Sequence, residues 1–280
     1  MMRPLKGLRN SFQAKESVDK MALLRAIFCV LFLGAFLVSC AKAPITGRTQ
    51  LILISPEAEK GLGLKTAQEI LGKEPIEHDP ALNAMLIRVG SRIAKAAGRP
   101  DFEWEFHLIK RDDVVNAFCL PGGKVFVYTG VLKYTKDECG LATVIGHEVA
   151  HALARHGAER MSLALLSQVG ETALEATLSS QGPQTVQTFR MLYGLVSNVG
   201  VILPYSRKQE FEADYIGLML MAQAGYNPMC ALSFWERMKK AQSGRPIIYF
   251  LATHPTDEAR IERLRMVLPR AMERYNSALK

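Results

Sequence analysis

The feature that most constrains this 280-residue chain is a helix that is apolar nearly all round yet carries two histidines and a glutamate. Residues 137–155 have helical spacing. Leu141, Ala142, Val144, Ile145, Val149, Ala150, Leu153 and Ala154 are spread over every side, so the helix belongs in a core. Within it runs His147-Glu148-Val149-Ala150-His151. Unpaired polar groups in such a place are costly, and a metal ion supplies a reason for them. Positions i and i+4 share one helix face, which lets both imidazoles reach one Zn2+ at about 2.0–2.1 Å. Glu148, one residue on, stands beside the metal rather than on it, where it can take a proton from a metal-activated water. A random chain of this length shows the pattern about once in a hundred. The motif is specific without being decisive alone.

Catalytic zinc takes three protein ligands and keeps one position for water. The third candidate lies 59 residues beyond His151, in Ser206-Arg207-Lys208-Gln209-Glu210-Phe211-Glu212-Ala213-Asp214. Glu210 and Asp214 are again an i, i+4 pair. Glu210 completes a His2Glu set, and Asp214 is placed to hold the free N–H of a ligating histidine. His156, at i+9 from His147, projects away from the metal face, and His78 and His107 read as surface residues, so none of the three receives a role. Cys119, Cys139 and Cys230 have no CxxC spacing and read as buried, inert thiols. The absence of GxSxG and of a recognisable cysteine nucleophile disfavours a serine or cysteine hydrolase.

Around this core the periodicity gives helices over 56–71 and 79–97, strands over 102–109, 114–119 and 124–128, and a turn at Pro121-Gly122-Gly123. Amphipathic helices follow over 161–203, then helices over 204–224, 228–240 and 257–275. The expectation is an α+β domain, mostly α, with one small sheet beside the metal helix, and residues 40–280 as a single domain.

Ala26 to Val38 is an uncharged apolar run of 13 residues preceded by Arg25. That is the length of a signal-peptide core and short for a membrane span. Residues 1–39 are therefore expected to be a signal peptide, with Met21 as an alternative initiator because Glu16 and Asp19 are out of place in a basic start. Leu37-Val38-Ser39-Cys40 resembles the bacterial lipoprotein box, which implies lipidation at Cys40 and a membrane attachment. Ala41 in the next position points to the outer membrane. The net charge is +8, but the leader holds six Lys and Arg against two acids, leaving +4 for residues 40–280. These charges form no stripe and are not interleaved with aromatics, so nucleic acid is not an expected partner.

With those residues in hand, the chain resembles the gluzincin peptidases that include the CAAX prenyl endopeptidases, the HtpX-like heat-shock proteases and the bacterial envelope lipoprotein peptidases. HEVAHALARH and SRKQEFEAD carry the resemblance, and it extends to Pro44-Ile45-Thr46-Gly47-Arg48, to Asn116–Lys124 and to Thr253-His254-Pro255. The soluble lipoprotein branch, akin to the mitochondrial inner-membrane stress peptidase, is the nearest match. The resemblance implies a zincin-like fold and one Zn2+ per chain held by His147, His151 and Glu210. Glu148 is then the catalytic base and Asp214 the carboxylate that orients a ligand. His254 either stabilises the oxyanion or caps the metal in a resting state. Asn116, Ala117 and Phe118 would form an edge strand to which an extended substrate adds.

The resulting expectation is a zinc endopeptidase of the bacterial cell envelope, lipid-anchored on the periplasmic face of the outer membrane and acting on misfolded or unassembled polypeptides. The alternative is an envelope chaperone or assembly factor with rare proteolysis.

Overall fold

A computed structural model describes residues 40–172, 206–242, 250, 253–254 and 258–280. The leader expected over 1–39, including Met21, lies outside the described residues, as do the helices expected beyond Thr172 in the 161–203 stretch.

The chain opens with a two-stranded antiparallel hairpin, β1 (Cys40–Lys42) and β2 (Thr49–Leu51). Helix α1 (Pro56–Leu71) starts where Ser55 Oγ accepts the Ala58 N–H with Pro56 in the first turn. Helix α2 (Pro80–Ala97) repeats the device with Asp79, and ends on Gly98 in the left-handed conformation at φ 62°. Both starts use a side-chain acceptor for an otherwise orphaned N–H, with proline where its missing donor costs nothing.

A three-stranded sheet follows: β3 (Glu105–Ile109), β4 (Ala117–Leu120) and β5 (Lys124–Tyr128), in the order β3-β5-β4. β5 pairs parallel with β3 and antiparallel with β4, which leaves β4 on the edge beside the metal helix. β3 and β4 each begin three residues later than the periodicity predicts, while β5 has the predicted bounds. Alternate residues serve two cores. Ala117, Cys119, Val125 and Val127 join the larger one, while Phe118, Leu120, Phe126 and Tyr128 pack with Ala67 and Ile70 of α1.

Helix α3 (Thr129–Thr135), which the sequence reading does not contain, leads into α4 (Glu138–Leu153). Asp137 caps α4 through the Gly140 N–H at 2.8 Å, and every residue from Gly140 to Leu153 is buried. The expectation of a core helix holds, but the helix is shorter at its C-terminal end. Arg155 adopts φ 55°, and a new helix, α5 (His156–Thr172), sets off in another direction. Helices α6 (Arg207–Gln223), α7 (Met229–Gln242) and α8 (Glu258–Ala278) complete the larger core around α4. The described fold is thus α+β and mostly helical. No helix among the described residues is long and apolar enough to cross a membrane.

Candidate metal centre

Helices α4 and α6 bring the two halves of the site together, and two glycines let them. A Cβ on Gly217 would stand 2.9 Å from Gly146 C and from His147 N, so the backbones touch where a side chain would hold them apart. Helix α6 begins in a capping box, Ser206 with Gln209, which fixes the first turn carrying Glu210. His147, His151, Glu210 and His254 converge there, all buried, with one donor atom from each within 4.8 Å of the others. His147 Nε2 lies 3.1 Å from His151 Nε2 and 3.2 Å from His254 Nδ1. Glu210 Oε1 lies 2.9 Å from His254 Nδ1 and 3.3 Å from His151 Nε2.

These separations fit a metal. A tetrahedron whose corners sit roughly 2.0–2.1 Å from a central Zn2+ has edges of about 3.3–3.4 Å. Three imidazoles and a carboxylate are also the nitrogen and oxygen donors that zinc takes.

The surroundings prepare these donors. Asp214 Oδ1 lies 3.0 Å from His147 Nδ1, behind the face of the ring that joins the cluster. Arg260 of α8 holds Asp214 with two hydrogen bonds, Nε at 2.8 Å and Nη2 at 2.7 Å, and its Nη1 lies 2.7 Å from Glu210 Oε2. The guanidinium rests 4.0 Å from the centre of the Trp235 ring, which meets His147 edge-on at 5.3 Å.

Burial alone would raise the Glu210 carboxyl, but Arg260, His254, His147 and His151 outweigh it and hold it well below the usual range. Burial likewise pushes His151 well down and His254 down to about 4, leaving neutral imidazoles fit to ligate. His147 goes the other way. Burial opposes its charged form, yet Asp214 and Glu210 prevail and raise it to about 9. Glu148 is pushed up to about 8, first by burial and then by Glu210. Its Oε1 stands 3.4 Å from His254 Nε2, beside the donor cluster.

His147, Glu148, His151, Glu210, Asp214 and His254 are therefore brought together. Ala117 and Phe118 open the edge strand and Asn116 directly precedes it, but all three are buried, and the Phe250 N–H already donates to Val115 O at 3.1 Å.

Three expectations need correction. Cys139 and Cys230 are not inert thiols but a disulfide across 91 positions, while Cys119 is free and buried. His107 is half-buried beside Glu105, not simply on the surface. His156 is not turned away. The helix breaks at Arg155, where φ turns positive, and His156 Nδ1 comes to lie 2.9 Å from His151 Nδ1. Sequence reasoning missed Arg260 altogether, because a lone arginine on an amphipathic helix looks like a solvated one.

With this geometry in place, comparison with known proteins is informative. The profile of peptidase family M48 matches residues 80–268. The chain belongs to that family. It is similar to the mitochondrial metalloendopeptidase OMA1 of Schizosaccharomyces pombe, 40% identical over 235 residues, which covers 81% of this chain and 66% of that protein. Against the OMA1 of Saccharomyces cerevisiae it is 34% identical, covering 85% of this chain and 71% of the other. Against the beta-barrel assembly-enhancing protease of Escherichia coli it is 28% identical, covering 81% of this chain and 47% of the other. The chain therefore spans from about two thirds to less than half the length of the M48 relatives it matches.

These identities overturn the placement on the outer membrane as an envelope lipoprotein. The higher ones belong to mitochondrial enzymes, and the bacterial protease is the more distant relative. A short apolar leader after basic residues is a general targeting signal and does not specify which membrane. The lipidation expected at Cys40 rested on the resemblance of Leu37-Val38-Ser39-Cys40 to a bacterial lipoprotein box, and the Cys40 side chain is outside the described residues.

Proposed function

We propose that this M48 chain is a zinc-dependent endopeptidase acting on extended polypeptide segments, captured here in a closed state. The observation that carries this reading is the tetrahedral spacing of His147, His151, Glu210 and His254 with the Glu148 carboxyl alongside. When bound, zinc lowers the pKa of a water towards 7 and polarises the scissile carbonyl.

The chain supplies the rest. Glu148 accepts a proton from the attacking water and passes it to the leaving amine, a relay that its place beside the donor cluster allows. Asn116 O accepts the Tyr128 N–H of β5 at 3.0 Å, so the outward backbone groups along this edge belong to Ala117 and Cys119 of β4 and to Val115 just before it. An extended substrate adds to that edge. In the closed state His254 fills the fourth donor position and Phe250 holds Val115, so displacing these two residues frees both the metal and the strand. A disulfide between Cys139 and Cys230 suits an oxidising compartment.

The test is cleavage of an unfolded protein by the zinc-loaded chain and its variants. Glu148→Gln is expected to keep one zinc and lose about 10²–10⁴-fold in kcat. His254→Ala is expected to keep zinc and raise turnover. Full activity of Glu148→Gln, or cleavage that survives complete zinc removal, rejects the reading.

A further inference from the structure

We propose that His156, Glu212 and Arg48 form a positioning relay that sets the tautomer of His151 and ties the metal centre to the β1–β2 hairpin. The inference rests on the metal reading of the donor cluster.

The relay is continuous. His151 Nδ1 faces His156 Nδ1 at 2.9 Å, and His156 Nε2 faces Glu212 Oε2 at 3.0 Å. Glu212 accepts from Arg48 Nε and from Thr46 Oγ1. Arg48 also reaches Glu159 with both terminal nitrogens at 2.7 Å, and Gln209 Nε2 joins Glu159 at 2.8 Å. His156 is completely buried, so these contacts decide its chemistry.

The direction of each hydrogen bond follows from its far end. A guanidinium can only donate, so Glu212 beside Arg48 is an acceptor and takes the Nε2–H of His156. That leaves the Nδ1 lone pair of His156 to receive the Nδ1–H of His151. The Nε2 lone pair of His151 then points into the cluster, which is the atom the metal site needs. His147 is backed in a parallel way by Asp214 and Arg260. Each ligating histidine of α4 thus ends on a carboxylate clamped by an arginine.

The hairpin is shaped for this task. Ile45 adopts φ 73°, a conformation costly for a β-branched side chain. It turns the tip so that Thr46 and Arg48 both meet Glu212, and the Ala43 N–H closes the loop on Arg48 O at 2.7 Å. Strain of this kind persists where surrounding contacts enforce it.

The experiment measures zinc dissociation constants by chelator competition, alongside melting of the metal-free protein. Partners behind a metal ligand typically govern 10–100-fold in affinity. His156→Leu is expected to weaken zinc binding by that factor. His156→Gln, whose amide can accept from His151 and donate to Glu212, is expected to recover most of it. Arg48→Met touches no donor atom, and about tenfold weaker binding is expected there. A merely structural role would lower the metal-free melting temperature without restoration by His156→Gln.

Should His156→Leu not fold, Arg48→Met at the hairpin tip decides. The relay is overturned if the wild type binds one zinc while the folded variants bind within twofold of it, or if His156→Gln binds as weakly as His156→Leu. A wild type that binds no zinc overturns the metal reading and the relay with it.

Discussion

Removing the Cys139–Cys230 bridge probes the frame of the metal centre without touching a donor. Cys139 is the second residue of α4, eight positions before His147, and Cys230 is the second residue of α7, whose Trp235 packs against that histidine. The bridge joins positions 91 apart. Closing a loop of that length in the unfolded chain removes entropy equivalent to about 4–5 kcal/mol at 25 °C. Native strain and residual structure in the unfolded chain make this an upper bound. Against a total stability of roughly 5–15 kcal/mol for an ordinary domain, the loss is severe. The contact between α4 and α7 keeps its buried side chains, Phe234, Trp235 and Met238 among them, so the folded arrangement persists.

The assay is urea unfolding of the metal-free protein, followed by circular dichroism, for the wild type and a Cys139→Ala/Cys230→Ala variant. The midpoint is expected to fall, the slope to rise modestly as the unfolded chain expands, and the folded variant to bind zinc as the wild type does. Equal midpoints for the two proteins, or peptide mapping that finds the two cysteines unlinked, would refute the reasoning.

Two further perturbations follow from the packing. Gly217→Ala places a Cβ on the backbone of Gly146 and His147, so α4 and α6 must separate. A loss of about 1–3 kcal/mol is expected, with weaker zinc binding, and unchanged unfolding and zinc affinity would speak against the close crossing. Arg260→Met strands Glu210 and Asp214 in the interior and is expected to cost about 3–5 kcal/mol in the metal-free protein. The cost is expected to be smaller with zinc bound, because a cation replaces the lost charge. Differential scanning calorimetry with and without zinc checks this, and equal losses in the two states contradict it.

What the sequence revealed and what it hid divide along one physical line. His147 with His151, and Glu210 with Asp214, were legible because i, i+4 spacing fixes a shared face on any helix. The burial of the helix carrying the motif was legible for the same local reason, because its apolar residues cover every side. Features that depend on where elements meet were not. Arg260 reaches Asp214 from 46 positions away, and nothing in its own neighbourhood marks it.

His156 was misread because a helical projection was carried through Arg155, where the backbone turns to positive φ. The parallel pairing of β3 with β5 and the Cys139–Cys230 bridge are likewise long-range facts. Helix α3, seven residues with β-branched Thr129, Val131 and Thr135, is too short to show a period. The outer-membrane expectation failed for a different reason, since a short apolar run after basic residues does not specify which membrane it would serve.

The most direct measurement of the central claim is X-ray absorption at the zinc edge of the loaded protein. The account predicts one zinc per chain in a four-coordinate shell of nitrogen and oxygen at about 2.0–2.1 Å, with outer-shell scattering from three imidazoles. A sulfur scatterer at about 2.3 Å, or a purified wild type that takes up no stoichiometric zinc, would contradict it.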